Sequence, residues 1–392
     1  MKPLIEEPLF IILILLAVVM GAHLWAKWFK HSKLMRILPT PIWCYIPPSL
    51  LTTAGILPYQ SPVYDWISRY VLPASLILLL MTTHMAGLKR IGRVALVAML
   101  GASATVILGG IAIFFLFRSQ LGPENWKLIG TLTASWVGGT ANELAVKEAT
   151  GLSDSAFGPL FIADITIVYV WMTFLMMISG NQKKIDRFFH AKHRQMEEVL
   201  HPEEPEHAPR RSKKTLTQSL LLCVLIGFGV GSVATWVGGK IPEIGIIINR
   251  STWIVMMITT VGLGLAFTRY GREEEATATQ MGYFLLYFVL ASTGAKAHLL
   301  AILKAPLLLG IGFIWMMIHG LLFLGFGKLF RMPIAILATA SQAALGGVVS
   351  APIVASTYEK ELISTALLLA VFGNAIGNYV GIAMAQFLRL FA

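Results

Sequence analysis

The sequence predicts an all-α polytopic membrane protein. Three observations carry that assignment: apolar runs of spanning length from end to end, basic residues gathered in the short loops between them, and a glycine pair set among polar residues inside two of the runs. Of 392 residues, 56% are hydrophobic and 13% charged, with a mean hydropathy of +0.72. Soluble domains carry roughly twice that share of charge. The runs "PLFIILILLAVVMGAHLWA", "VALVAMLGASATVILGGIAIFFLF" and "APLLLGIGFIWMMIHGLLFLGFG" each approach or exceed the ~20 residues that a helical span needs.

Twelve apolar segments follow one another. In the first half they lie near residues 8–27, 40–58, 68–86, 93–118, 126–149 and 154–180. In the second half they lie near 215–238, 247–268, 279–295, 303–327, 333–356 and 361–390. The first run is longer than the ~7–15 apolar residues of a signal peptide and lacks a small-residue cleavage site, so it reads as a retained helix. Cys44 and Cys223 show neither metal nor redox spacing and read as packing residues. Between the halves, the charged, proline-bearing stretch from Asn181 to Thr215 reads as a linker. The domain plan is therefore 1–180, a linker over 181–215, and 216–392.

A formal charge of +11 raises the question of nucleic acid. The basic residues sit in loops such as "KWFKHSKLMR", "GLKRIGR" and "KKIDRFFHAKHR". That is the positive-inside pattern of a membrane protein and not the basic face of a soluble module, so the partner is lipid and not nucleic acid.

The halves echo each other. Gly87-Leu88-Lys89 and Gly294-Ala295-Lys296 each close an apolar run at an offset of 207 residues, and Gly138-Gly139 and Gly346-Gly347 repeat at 208. A nearly constant offset marks an internal repeat. Placing the basic loops inside puts the N-terminus outside. If 126–149 crossed fully, the basic start of the linker would fall outside. Each arm flanking Gly138-Gly139 is about 10–12 residues, or roughly 15–18 Å of helix, half a bilayer. The segment is therefore read as a re-entrant hairpin. Five spans plus one hairpin per half is an odd number of crossings, which gives an inverted repeat of ten spanning helices and two hairpins, with both termini outside and the linker cytoplasmic.

Irregular backbone at membrane depth is tolerated where protein or a watery cavity satisfies it. Two half-helices meeting at Gly138-Gly139 present N–H groups at one side and carbonyls at the other, ends suited to a carboxylate and to a hard cation such as Na⁺. Thr133, Ser135, Thr140 and Asn142 add neutral oxygen donors, while Ser and Thr also serve simple helix packing. In the second half the equivalents are Ser341, Gln342, Gly346, Gly347 and Ser350, with no acidic residue near the tip. An unpaired charge within the membrane is expensive, so Asp164 in "FIADITIVYVW" is the leading cation-coupling residue, and Asn142 joins it as a Na⁺ ligand. Asn374 and Asn378 occupy the matching region of the second half. Glu143 is placed near the first hairpin tip, and Lys147 and Glu148 toward the aqueous side. His84 and His319 read as packed or interfacial residues before proton relays.

The stretches "TASWVGGTANELAVKEATG", "IADITIVYVWM", "LLYFVLASTGAKAHL", "LFRMPIAILATAS" and "GNAIGNYVGIAMAQFL" resemble bacterial membrane proteins grouped as domain of unknown function 819, the YjcL-like family. The resemblance covers nearly the whole chain. More distantly, it extends to the sodium–glutamate, citrate and bile-acid symporters. It implies a core and a scaffold domain moving as an elevator, a homodimer joined through the scaffold, and residence in the bacterial cytoplasmic membrane. It also implies a substrate and ion site at Ser135, Gly138, Gly139, Thr140 and Asn142, facing Gly346 and Gly347, with Asp164 and Asn374 on the following helices. Two departures stand out: Glu143 occupies a place where the pattern has a small or apolar residue, and "SQAALGGVVSAP" lacks the Asn-rich approach to the second glycine pair.

The resulting expectation is a secondary transporter of a small polar organic solute (an amino acid, a short peptide or a carboxylate) coupled to Na⁺ or H⁺, with no organic cofactor. The alternative is a cation–proton antiporter of similar build, against which the sequence shows no second acidic residue adjoining Asp164. An enzyme is not expected, because H-E-x-x-H, G-x-S-x-G and paired carboxylates are not found.

Overall fold

A computed structural model describes residues 3–28, 40–83, 92–200, 215–244, 249–296 and 305–392, and among these there are helices and no strand. His84, the first Gly-x-Lys at Gly87 to Lys89, most of the two N-terminal basic loops and the linker over 201–214 lie outside the described residues.

In order the helices are α1 (Pro8–Trp28), α2 (Thr40–Thr53), α3 (Pro62–Met81), α4 (Arg93–Leu121), α5 (Asn125–Gly138), α6 (Thr140–Thr150), α7 (Asp154–Ser179), α8 (Gln182–Phe189) and α9 (His193–Leu200). Then follow α10 (Leu216–Gly238), α11 (Arg250–Ala266), α12 (Arg269–Glu273), α13 (Glu275–Lys296), α14 (Ala305–Phe330), α15 (Ile334–Tyr358) and α16 (Leu362–Arg389). Each of the twelve apolar runs is helical. Eight helices among the described residues are long and apolar enough to cross a membrane: α1, α3, α4, α7, α10, α14, α15 and α16. The remaining runs are shorter or more polar. The segment expected over 40–58 continues through Pro47 and Pro48 but stops at Thr53, where Gly55 turns the chain at φ 75°. Helix α11 has 17 residues, and α13 opens on "EATATQ". Cys44 and Cys223 are both buried, as packing residues should be.

The start of the linker carries two short helices that its charge does not reveal. α8 and α9 form there and dock: Phe189 and Val199 are buried, the Ile334 N–H donates to Asp186 Oδ1 at 2.7 Å, and the Lys192 N–H donates to the Arg331 carbonyl at 3.1 Å. A few apolar side chains at helical spacing suffice to hold short helices when a neighbouring surface receives them.

Helices α5 and α6 fold back on each other. Their lengths, 14 and 11 residues, correspond to about 21 and 16 Å, so a continuous rod would separate its ends by more than 35 Å. Instead Lys127 Nζ, in the first turn of α5, donates to the carbonyl of Gly151 just beyond α6 at 2.8 Å. Glu124, which precedes α5, accepts from the Ser153 hydroxyl at 2.5 Å and from the Ser153 N–H at 3.2 Å. The turn is at Gly139, with φ 82° and ψ 179°, a conformation essentially confined to glycine.

Helix α15 breaks in the same manner at Gly347, with φ 62° and ψ −156°. Its first residue bonds Asp186 of α8, and the hydroxyl of Tyr358, its last, donates to the Leu175 carbonyl near the end of α7 at 2.6 Å. The ends of α5–α6 are thus held at the start of α7, and the ends of α15 at its finish. Helix α7 has 26 residues, about 39 Å, so the two broken segments reach toward each other from opposite ends of it.

Small residues set the depth of the first hairpin. Gly130, Ala134 and Gly138 of α5 recur every four residues and lie against Gly373, Gly377, Gly381 and Ala385 of α16, also spaced by four. A methyl group on Gly130, Gly138, Gly373, Gly377 or Gly381 would meet atoms of the facing helix closer than side chains tolerate. Close backbone approach of this kind is how helices associate where no hydrophobic gain is available between them.

Candidate functional site

Where the two breaks meet there is a cavity of about 580 Å³. It is lined by Ser135, Gly138, Gly139, Thr140 and Asn142 from the first hairpin, Gly346 and Gly347 from the second, Asp164 from α7, and Asn374 and Asn378 from α16. Thr40, Thr82, Thr83 and Glu275 also line it, and Tyr169, Tyr283 and Tyr287 supply aromatic wall. Its volume falls in the roughly 300–1,000 Å³ range typical of small-molecule sites.

Asp164 is 3% exposed. Its Oδ2 accepts from the Ser135 hydroxyl at 2.7 Å and its Oδ1 from the Trp136 indole N–H at 2.5 Å, so α5 holds the carboxyl from one side. Asn142 Nδ2 donates to the Gly138 carbonyl at 2.5 Å, closing the break across one turn and keeping the amide oxygen as its acceptor. The Asn378 amide donates to Thr259 at 2.8 Å, and its Oδ1 has no partner among the described residues. Oxygen atoms of this kind suit Na⁺, which needs no cluster of His, Cys, Asp and Glu.

Five of the sequence-chosen residues do not line the cavity. Thr133 turns its hydroxyl back to the Ile129 carbonyl at 2.7 Å and serves helix α5. Ser341 receives the Trp171 indole N–H at 2.9 Å and lies 3.0 Å from His319 Nε2, while His319 Nδ1 lies 2.9 Å from Thr105. His319 is therefore fully buried in mid-helix and is not an interfacial residue. Gln342 donates to Ser350 at 2.8 Å, bridging the two arms of the second hairpin just behind its tip, with the Gln342 carbonyl oxygen left unbonded. Glu143, the fifth, corrects the sequence reading most.

The Glu143 side chain is completely buried, and its acidic neighbour is the Asp164 carboxyl. The second acidic residue that the sequence did not show beside Asp164 is thus present, 21 positions away along the chain. Lys147 is not on the aqueous side either. It is 3% exposed and forms ion pairs with Asp154 at 2.9 Å and Glu148 at 3.0 Å; Asp154 also pairs with Lys296 at 3.4 Å. A spacing of four between Glu143 and Lys147 is visible in the sequence, but the side-chain pairing that results is not.

At the mouth of the first hairpin, burial on its own would raise the Glu124 carboxyl. The hydrogen bonds from the Ser153 hydroxyl, Lys127 and the Ser153 N–H outweigh it and hold the group below its ordinary range.

These features define a polytopic helical membrane protein with two glycine-broken segments closing on an acidic cavity. A family model described as a protein of unknown function, DUF819, matches residues 14–391, and the chain belongs to that family. It is 26% identical over 355 residues to the Uncharacterized membrane protein YjcL of Bacillus subtilis (strain 168), covering 87% of this chain and 88% of that protein.

Proposed function

We propose that this protein is a secondary active transporter that binds a small polar organic solute in the cavity between the two breaks and couples its movement to Na⁺ or H⁺. The observation that carries the reading is a buried, hydrogen-bonded carboxyl group at the point where two half-helix hairpins converge from opposite ends of α7. Such a site offers helix N-termini, bare glycine backbone and one fixed charge to a solute at mid-depth. Asp164 is acidic, and among the described residues lining the cavity there is no Lys, Arg or His. That balance favours a solute with a cationic group, such as an amino acid or short peptide, over a bare carboxylate. Its ammonium would face Asp164 and its carboxylate the N–H groups that open α6.

In this reading the chain is an inverted repeat of ten spans and two hairpins, with core and scaffold domains, an elevator motion and a dimer joined through the scaffold. The near-equal backbone angles of Gly139 and Gly347 support the repeat. Thr40 and Thr83 of the lining adjoin, along the chain, the two basic loops assigned to the cytoplasm, which supports a cavity that opens inward. Both termini lie outside, the linker is cytoplasmic, and no catalytic role is assigned to any residue.

A second reading, cation–proton antiport without organic solute, is favoured by Glu143 beside Asp164, since two buried carboxyls offer both a cation ligand and a proton site.

The test of the ion site is thermal stability of the purified protein in NaCl against choline chloride at equal ionic strength. An ion bound to the folded state at 100 times its Kd adds about 2.7 kcal/mol. A sodium-specific rise that Asp164→Asn abolishes is expected for Na⁺ coupling. A wild-type protein indifferent to sodium directs the solute screen to a pH series, and a rise that survives Asp164→Asn removes Asp164 from the ion site.

A further inference from the structure

The end of α14 meets the start of the linker in a patch of uncompensated positive charge. Lys183, Lys184 and Arg187 of α8, Lys192 just before α9, Lys328 in the last turn of α14 and Arg331 just after it are all exposed. None of the six forms an ion pair among the described residues. Two contacts hold the patch together: Lys328 Nζ lies 4.2 Å from the centre of the Phe188 ring, and the Lys192 N–H donates to the Arg331 carbonyl at 3.1 Å. Lys184 shares a face of α8 with Arg187 and Phe188, three and four residues on, while Ile185 and Phe189 pack inward. Of the acidic side chains on the same two helices, Asp186 accepts from the Ile334 N–H, and Glu197 and Glu198 stand in the second half of α9, where Glu198 adjoins Gly92 at the start of α4.

The patch also ends a surface suited to a fatty chain. On α14, Ile314, Met317, Leu321 and Leu324 are exposed and recur at intervals of three and four residues, and the next position of that stripe is Lys328. From Ile314 to Lys328 the stripe is about 21 Å long. That covers one leaflet, since the whole hydrocarbon core is about 30 Å thick. Phe188, 61% exposed, adds an apolar ring beside Lys328. A free phosphate would use the charges alone, whereas a phospholipid uses charges and stripe together. Membrane topology needs basic residues on one side of the bilayer, but it does not need them gathered at the end of one apolar stripe. Clusters of four to eight Lys and Arg next to a spanning helix are the pattern that attracts anionic lipid.

We propose that α8 and the end of α14 form a site for an anionic phospholipid of the cytoplasmic leaflet, with an acyl chain along the α14 stripe and the phosphodiester between Lys184, Arg187 and Lys328. The choice of leaflet rests on the proposed topology; the chemistry of the site does not. A headgroup there bridges the start of the linker to α14. Through Asp186 and Ile334, α8 is also tied to the mouth of the second hairpin, so the bound lipid fastens the linker onto that mouth. Because it binds the folded chain, it stabilises that chain by mass action.

The experiment is the unfolding midpoint of the full chain in a neutral detergent, titrated separately with phosphatidylglycerol, with phosphatidylcholine of the same acyl chains, and with inorganic phosphate. A rise with phosphatidylglycerol alone is expected. Each basic group near an anionic lipid surface is worth about fivefold in binding, so the triple variant Lys184→Gln/Arg187→Gln/Lys328→Gln should raise the mole fraction of phosphatidylglycerol needed for half the rise on the order of 100-fold. Leu321→Gln, in the stripe, should weaken the response without removing charge. Arg69→Gln/Lys240→Gln removes two exposed cations from α3 and the turn after α10 and should leave the response unchanged. All of these positions are exposed, which favours folding of the variants. An equal rise with inorganic phosphate would reduce the patch to a free-anion site, and an equal rise with phosphatidylcholine to a general lipid effect; either overturns the proposal, as does an equal loss in Arg69→Gln/Lys240→Gln. A triple variant that melts below the wild type with no lipid added, in a protein indifferent to phosphatidylglycerol, would assign the patch to the linker's own acidic residues Glu203, Glu204 and Glu206 instead. The readout needs no solute and no flux, so failure of every transport assay leaves this site standing, and its own failure leaves the transport reading intact.

Discussion

Replacing Gly139 or Gly347 by alanine isolates the cost of breaking a helix inside this fold. Gly139 has φ 82° and ψ 179°, and Gly347 has φ 62° and ψ −156°, so both lie in a region that side chains with a Cβ avoid. Space is not the obstacle. A methyl group on Gly139 would meet only Asn374 Oδ1 at 3.6 Å, an ordinary contact, and on Gly347 nothing within 4 Å. The penalty is therefore backbone strain alone, about 1–3 kcal/mol at each position. Gly138 differs: its methyl group would run into the Asn142 amide and approach the Gly373 carbonyl at 2.9 Å, so its alanine variant is destabilised by overpacking of α5 on α16, also by about 1–3 kcal/mol. Gly264, inside α11 with nothing within 4 Å, is the control. Alanine there is expected to be neutral or to stabilise by up to about 1 kcal/mol through helix propensity. The assay is the unfolding midpoint of each variant in one detergent, run together with the wild type. If Gly139→Ala and Gly347→Ala melt with Gly264→Ala, the breaks are not held by left-handed backbone and the reasoning fails.

Three further outcomes are expected. The Glu124 clamp at the mouth of the first hairpin contributes stability above the ordinary carboxylate range, because its folded-state carboxyl is held lower than in the unfolded chain; that contribution disappears as pH falls through the lowered value. Acid titration of melting should therefore be shallower in Glu124→Gln, and an unchanged slope would remove Glu124 from the clamp. His319→Ala strips two buried contacts, to Thr105 and Ser341, and opens a void between α4, α14 and α15; a loss of about 2–4 kcal/mol is expected in unfolding, against no measurable loss if the imidazole only fills space near lipid. Asp164→Asn turns one acceptor into a donor facing the Ser135 hydroxyl or the Trp136 indole N–H. Apart from any ion effect it should cost about 1–3 kcal/mol in choline chloride, and stability equal to wild type there would mean that neither bond matters.

Most of the helical architecture was legible in the sequence, because apolar length and loop charge are local properties. All twelve runs are helices, and the two glycine pairs mark the two breaks. Asp164 was legible because one charge in an apolar run is conspicuous, and it does line the cavity with Asn142, Thr140 and both glycine pairs. The two short helices at the start of the linker were not legible, because charge hides the few apolar side chains, Phe189 and Val199, that anchor α8 and α9.

What the sequence determined by itself is therefore a membrane chain, its helices, and the places where they break, since hydrophobicity and glycine act within a few residues of where they occur. Only the tertiary structure decided which buried groups meet. It brought Glu143 to Asp164, turned Lys147 from Glu143 to Asp154, and set the glycine face of α5 against that of α16. Those pairings depend on how α5 and α6 return on themselves beside α7. The return is fixed by contacts between residues far apart in the chain, Lys127 with Gly151 and Glu124 with Ser153, which no local periodicity encodes.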